Sequence, residues 1–146
     1  MTGVDPTSSA ATPMQTVLVV DDAVLVRLSI CEYLRECGFR VIEAANADEA
    51  IIVLQEPNLA VDVVLTDIEM AGTMDGFGLA QWVHRHKPGL AVILAGTPAR
   101  IAGEAADLCN EGSHLAKPYN PQTLLDRIRR LLAERKTLSS LPPSSP

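Results

Sequence analysis

Four charged residues stand where short apolar runs stop. Asp21 and Asp22 follow Val17-Leu18-Val19-Val20, Asp67 follows Val63-Val64-Leu65-Thr66, and Lys117, itself followed by Pro118, comes after Leu115-Ala116. Three carboxylates supply hard oxygen ligands for a small divalent cation, and an ammonium among them supplies a counter-charge for an anion. Such a set does chemistry only if the chain brings it to one place.

The runs themselves say how that happens. Each is short, rich in branched aliphatics and without period-two alternation, the pattern of a strand covered on both faces in a parallel sheet. Charges at the ends of such strands collect along the carboxyl edge, where open α/β sheets bind ligands. Between the runs the apolar spacing turns helical. After Thr16 to Val20, the positions Val24, Leu28, Cys31 and Leu34 predict a helix that Gly38 ends. Arg40 to Ala44 is a second strand, and Asn46 caps the next helix with Glu49 as its reciprocal partner. Val61 to Thr66 is strand three, followed by a loop over residues 71–76 and a helix from Phe77 to His86. Ala91 to Ala95 is strand four, a helix spans about Ala99 to Asn110, and Ser113 to Ala116 is strand five. Asn120 caps the last helix, with Pro121 at its first position. The βαβα order implies right-handed crossovers and a parallel sheet.

Composition sets the bounds. The 146 residues suffice for one domain with its own core, 47% hydrophobic but only 3% aromatic, so the core is aliphatic. The folded unit is expected over residues 16–135, with disordered tails at 1–15 and, rich in Ser and Pro, at 136–146. A net charge of −6 argues against direct nucleic-acid binding. Cys31, Cys37 and Cys109 are an odd number with no C-x-x-C spacing, so neither disulfides nor zinc are indicated. With no apolar leader or membrane-length run, the expectation is a cytoplasmic protein that makes no membrane contact.

On these residues the chain resembles the receiver domains of two-component response regulators. The resemblance is carried by VLVVDD at 17–22, VVLTDIEM at 63–70, MDG at 74–76 and KP at 117–118. It implies a flavodoxin-like fold, a five-stranded parallel sheet of order 2-1-3-4-5 with five helices on both faces. It implies that Asp67 accepts a phosphoryl group from a sensor histidine kinase or histidine phosphotransfer protein, and that Asp21, Asp22, Asp67 and the backbone carbonyl of Glu69 hold Mg²⁺. The resemblance further implies a cis Lys117-Pro118 bond, with the ammonium directed inward. The expected output is binding of a downstream protein through helix four, strand five and helix five, with homodimerisation a further option. The chemistry agrees with the name: attack by a carboxylate on a phosphoryl group needs the charge on the phosphoryl oxygens neutralised, by a metal on one side and Lys117 on the other. A protein of this kind is a signalling phosphoacceptor acting on itself, not an enzyme with a turnover substrate. Phosphohydrolases of the haloacid dehalogenase type also use a strand-end aspartate and Mg²⁺, but they place an Asp-x-Asp pair after their first strand, whereas here that strand ends in adjacent Asp21-Asp22.

Three positions depart from the family pattern. Gly96 stands where a Ser or Thr hydroxyl is usual, with Thr97 one residue later; a bulge at Gly96 would return Thr97 to the site as the hydroxyl switch. His114 takes the place of a frequent aromatic, either as a responsive group or as a plain strand residue. Ala71 replaces a common proline in a loop one residue longer. Phosphoacceptance survives these changes and the readout is what they alter. The competing reading is a pseudo-receiver that binds partners without phosphorylation.

Overall fold

In the structure, a computed structural model, the described residues are 14–70, 72–96 and 114–140, with side chains as far as Arg135. Five strands, β1 (Thr16–Val20), β2 (Arg40–Ala44), β3 (Val63–Asp67), β4 (Ala91–Gly96) and β5 (His114–Ala116), make one sheet. All four pairings are parallel and the order is β2-β1-β3-β4-β5. Among the described residues there are four helices: α1 (Val24–Glu36), α2 (Ala47–Gln55), α3 (Gly76–His86) and α4 (Pro121–Ser140). The helix expected over 99–110, Thr97, Ala71 and Cys109 lie outside the described residues.

Strand alternation explains why the apolar runs show no polar period. Val17 and Val19 enter one core with Val63, Leu65, Ile93 and Ala95, under α1 and α4. Leu18, Val20 and Val64 enter the other, under α2 and α3. Each face is dry, so successive residues of the central strands are all apolar. The second core continues through Ile68, Phe77, Ala80 and Leu94 near the carboxyl end of β3 and β4.

Local signals hold where their hydrogen bonds can be checked. Asn46 Oδ1 accepts from the Glu49 N–H at 2.9 Å and caps α2. Glu49 answers with its carboxylate on the Ala45 N–H at 2.8 Å, one residue before the expected reciprocal donor. Asn120 Oδ1 accepts from Gln122 N–H at 2.8 Å at the start of α4. Gly38, at φ +99°, turns the chain out of α1 in the left-handed conformation that glycine adopts without strain.

Three sequence expectations need correction. The buried face of α1 is Ile30, Cys31 and Leu34, while Val24 and Leu28 are exposed. Strand three starts at Val63 rather than Val61: Asp62 is used to tie down β1, its N–H donating to Thr16 O and its Oδ2 accepting from Thr16 N–H at 2.8 Å. The strand also runs through Asp67 instead of stopping before it. The last helix continues to Ser140, past residue 135, through a stretch with no Gly or Pro before Pro142.

Candidate functional site

The sheet register assembles the charged residues. Val20 pairs with Thr66 and Asp67 with Ala95, while Ala95 and Gly96 pair with Leu115 and Ala116. Asp21, just past β1, Asp67, closing β3, and Lys117, just past β5, therefore reach the carboxyl edge together. Backbone bonds carry the ladder one step further at two of these places: Asp21 N–H donates to Ala44 O at 3.1 Å, and Lys117 N–H to Gly96 O at 2.7 Å. The Lys117-Pro118 peptide is cis.

At that edge Lys117 Nζ lies 3.1 Å from Asp67 Oδ1 and 3.9 Å from Asp21 Oδ2. Carboxylate oxygens of Asp21, Asp22 and Asp67 all fall within 4.8 Å of one another. Their exposure is graded: Asp21 is buried, Asp67 half-buried and Asp22 exposed. A ligand arriving from solvent thus meets Asp22 and Asp67 while Asp21 supports from below. Asp67 Oδ1 also accepts from the Glu69 N–H at 3.3 Å, and Asp21 Oδ1 from the Ala23 N–H at 2.9 Å. The latter bond satisfies the N–H of Ala23, the N-cap residue of α1, which has no capping side chain of its own.

Charge is crowded here. Burial holds the Asp21 carboxyl above the usual carboxylate range, and the charges of Asp67 and Asp22 push the same way. The Ala23 N–H and Lys117 work against them. Three closely spaced hard oxygen donors, one open to solvent, suit a divalent cation that keeps several waters, and Mg²⁺ fits that description.

The sequence reads as a loop over residues 71–76 before a helix from Phe77; α3 starts one residue earlier, at Gly76, and what that start does for the site was missed. Asp75 Oδ1 accepts from Gly78 N–H at 2.9 Å as the cap of α3, and Gly76 N–H donates to Ile68 O at 2.8 Å. A Cβ on Gly76 would collide with the Asp67 carbonyl oxygen and stand 2.7 Å from Ile68 Cα. Only glycine lets α3 start this close to the end of β3. Arg27 was missed as well: its Nη1 donates to Asp21 O at 2.6 Å and its Nε pairs with Glu43 at 3.1 Å, bracing the β1–α1 turn. Tyr119, two residues past Lys117, is the third, its hydroxyl pushed up to about 12 by burial first and then by the charges of Asp21 and Asp67. The "KP" signal drew attention to its neighbours instead. His114 is half-buried on β5, and its carbonyl oxygen accepts from Arg127 at 2.5 Å. Up to Gly96 the β4 ladder is regular, with no bulge among the described residues.

Comparison with known proteins agrees with this geometry. The family profile described as "Response regulator receiver domain" matches residues 17–129. The chain is 32% identical over 129 residues to the probable transcriptional regulator ycf27 of Cyanophora paradoxa, an alignment that takes in 85% of this chain and 52% of that protein. It thus spans about half the length of that relative. Among solved structures, a CheY-like receiver domain protein from Methanospirillum hungatei is similar at 25% identity with a TM-score of 0.75, over 86% of this chain and 98% of the other. The response regulator TrrA of Thermotoga maritima, solved in complex with Mg²⁺ and BeF, is 27% identical with a TM-score of 0.71, over 81% and 98%.

Proposed function

The chain belongs to the response regulator receiver domain family, and on that premise we propose that Asp67 takes a phosphoryl group from the phosphohistidine of a sensor kinase or phosphotransfer protein, changing which partner the domain binds. The observation that carries this reading is the pairing of Lys117 Nζ with Asp67 Oδ1 at 3.1 Å beside two further carboxylates. In the transfer, an Asp67 oxygen attacks phosphorus, an O–P bond forms as the N–P bond to the donor imidazole breaks, and that nitrogen keeps the electron pair and afterwards a proton. Lys117, already at the acceptor, is placed to neutralise the transferred oxygens. Asp21 and Asp22, with Asp67 and the Glu69 carbonyl, would hold Mg²⁺. When bound, the ion supplies further positive charge for the phosphoryl oxygens and offsets the crowding of the three carboxylates.

The apolar start of α1 supports docking of such a donor. Leu25 is 81% exposed and Val24, Val26 and Leu28 are also open to solvent, immediately after Asp22. Exposed aliphatics grouped beside a reactive carboxylate are what a partner surface would cover. A net charge of −6 supports an output carried by protein contacts rather than by direct contact of residues 16–135 with nucleic acid.

Incubation with acetyl phosphate and Mg²⁺ followed by intact-mass measurement tests the reading. One phosphoryl mass gain is expected, absent in Asp67→Asn. If neither acetyl phosphate nor a cognate kinase produces the gain, the domain is a phosphorylation-independent partner binder instead.

A further inference from the structure

The distance between the acceptor carboxylate and its lysine has to be set by something, and the hydrogen bonds show what spans it. Asp67 sits on β3 and Lys117 follows β5, with β4 between them. Ile68, next to Asp67, donates its N–H to Ala95 O at 2.9 Å, and Lys117 donates its N–H to Gly96 O at 2.7 Å. The two backbones are thus hung from neighbouring carbonyls of one strand. How closely β3 lies against the end of β4 then decides how far the Asp67 oxygen is from the Lys117 nitrogen.

At that point Gly96 has no side chain and Ile68 lies over the bare backbone. A Cβ built on Gly96 would stand 2.6 Å from Ile68 Cδ1 and 3.2 Å from both Ile68 Cβ and Cγ1. The first contact is closer than carbon atoms tolerate, and the other two are tight. A terminal methyl can often swing away, but Ile68 is fully buried among Phe77, Ala80 and Leu94 and has little free volume to swing into. The relief left to the structure is to move β3 away from β4.

Resting on the phosphoacceptor reading above, we infer that Gly96 is a positioning residue: with no side chain beneath Ile68, it is the thin spacer that lets Asp67 and Lys117 reach ion-pair distance. A serine or threonine at position 96 carries the same Cβ. The contact therefore also disfavours a hydroxyl at that position unless Ile68 gives way.

The test is a four-protein cycle of wild type, Gly96→Ala, Ile68→Val and the double variant. Valine lacks Cδ1, the atom that would be struck first. Two quantities are read, the Asp67 Oδ1–Lys117 Nζ distance in crystal structures and the rate of phosphoryl uptake from acetyl phosphate with Mg²⁺. Gly96→Ala should lengthen the pair toward about 4 Å, the limit of an ion pair, and slow uptake about tenfold or more, since small misplacements of reacting groups are costly. Ile68→Val alone should stay near wild type, and the double variant should close the pair and return the rate to within about twofold. An unchanged distance in Gly96→Ala, or an opened pair that Ile68→Val fails to close, overturns the inference. If the wild type takes up no phosphoryl group, the functional reading fails by itself, and the distances still decide the spacer. Should Gly96→Ala not fold, the double variant decides: folded with the pair closed supports the spacer, and unfolded or open overturns it.

Discussion

Aspartate meets a cation at both edges of this sheet, with opposite results. At the amino edge Asp62 spends every polar group on structure. Its Oδ2 accepts from Thr16 N–H at 2.8 Å, its N–H donates to Thr16 O, its carbonyl accepts from Arg135 at 2.8 Å, and its Oδ1 lies 3.5 Å from the same guanidinium. One carboxylate faces one arginine, and the result is a strap between β1, the start of β3 and the far end of α4. At the carboxyl edge three carboxylates gather with Lys117 beside two of them, one carboxylate being buried with its pKa raised. The amino edge has the charges it needs, whereas the carboxyl edge is arranged at a cost that further positive charge would lower. Balanced charge marks a structural tie and accumulated like charge marks a site, because a fold keeps a repulsive cluster only where something else is to bind.

The largest effect expected from this contrast is on transfer itself. Lys117→Ala removes the ammonium from Asp67 and should lower the rate of phosphoryl uptake about 100-fold, the usual loss when one preplaced charge donor is deleted. The fold should remain, since Lys117 is paired near the surface. The companion change, Arg135→Ala, should leave uptake within about twofold of wild type. Equal losses in the two variants would erase the distinction between the edges.

The next effect concerns the cation. Asp21→Asn keeps an oxygen to accept from Ala23 N–H but removes a buried charge that its neighbours repel. Without Mg²⁺ its melting temperature should therefore exceed that of wild type. Addition of Mg²⁺ should raise the wild-type melting temperature and raise the variant's much less, by the mass-action rule for a ligand that binds only the folded state. Thermal scans with Mg²⁺ and with a chelator read both. A variant less stable than wild type in the chelator would mean that Asp21 is part of the frame after all.

The sequence carried more of the site than of its supports, for a physical reason. Asp21, Asp67 and Lys117 could be found because each interrupts a buried strand at its end, where a charge has no packing role. The sheet order followed from the same runs through the parallel βαβ rule. The steric roles of Gly76 and Ile68 are not legible in the motifs that contain them because those roles lie across the chain: nothing local to Gly76 shows that the Asp67 carbonyl will stand where its side chain would be. The α1 face was misjudged because helical periodicity fixes which residues share a stripe without fixing how far the sheet extends beneath it. Val24 and Leu28 lie on the right spacing and are still exposed.

The smallest effect is at the amino edge. Asp62→Ala takes an acceptor from the Thr16 N–H, which water does not readily replace because Thr16 is buried at 5% exposure. An unsatisfied buried donor costs roughly 1–3 kcal/mol, while the partly exposed Arg135 pair adds at most about 1 kcal/mol. The variant should unfold at lower denaturant concentration by about that sum, with an unchanged slope, and should still take up phosphoryl at the wild-type rate. Asp62→Asn separates the two contributions: its side-chain oxygen can still accept from Thr16, so only the small charge component should disappear. If Asn costs as much as Ala, the carboxylate charge matters at this edge as much as it does at the other. The two edges would then differ only in the number of their charges.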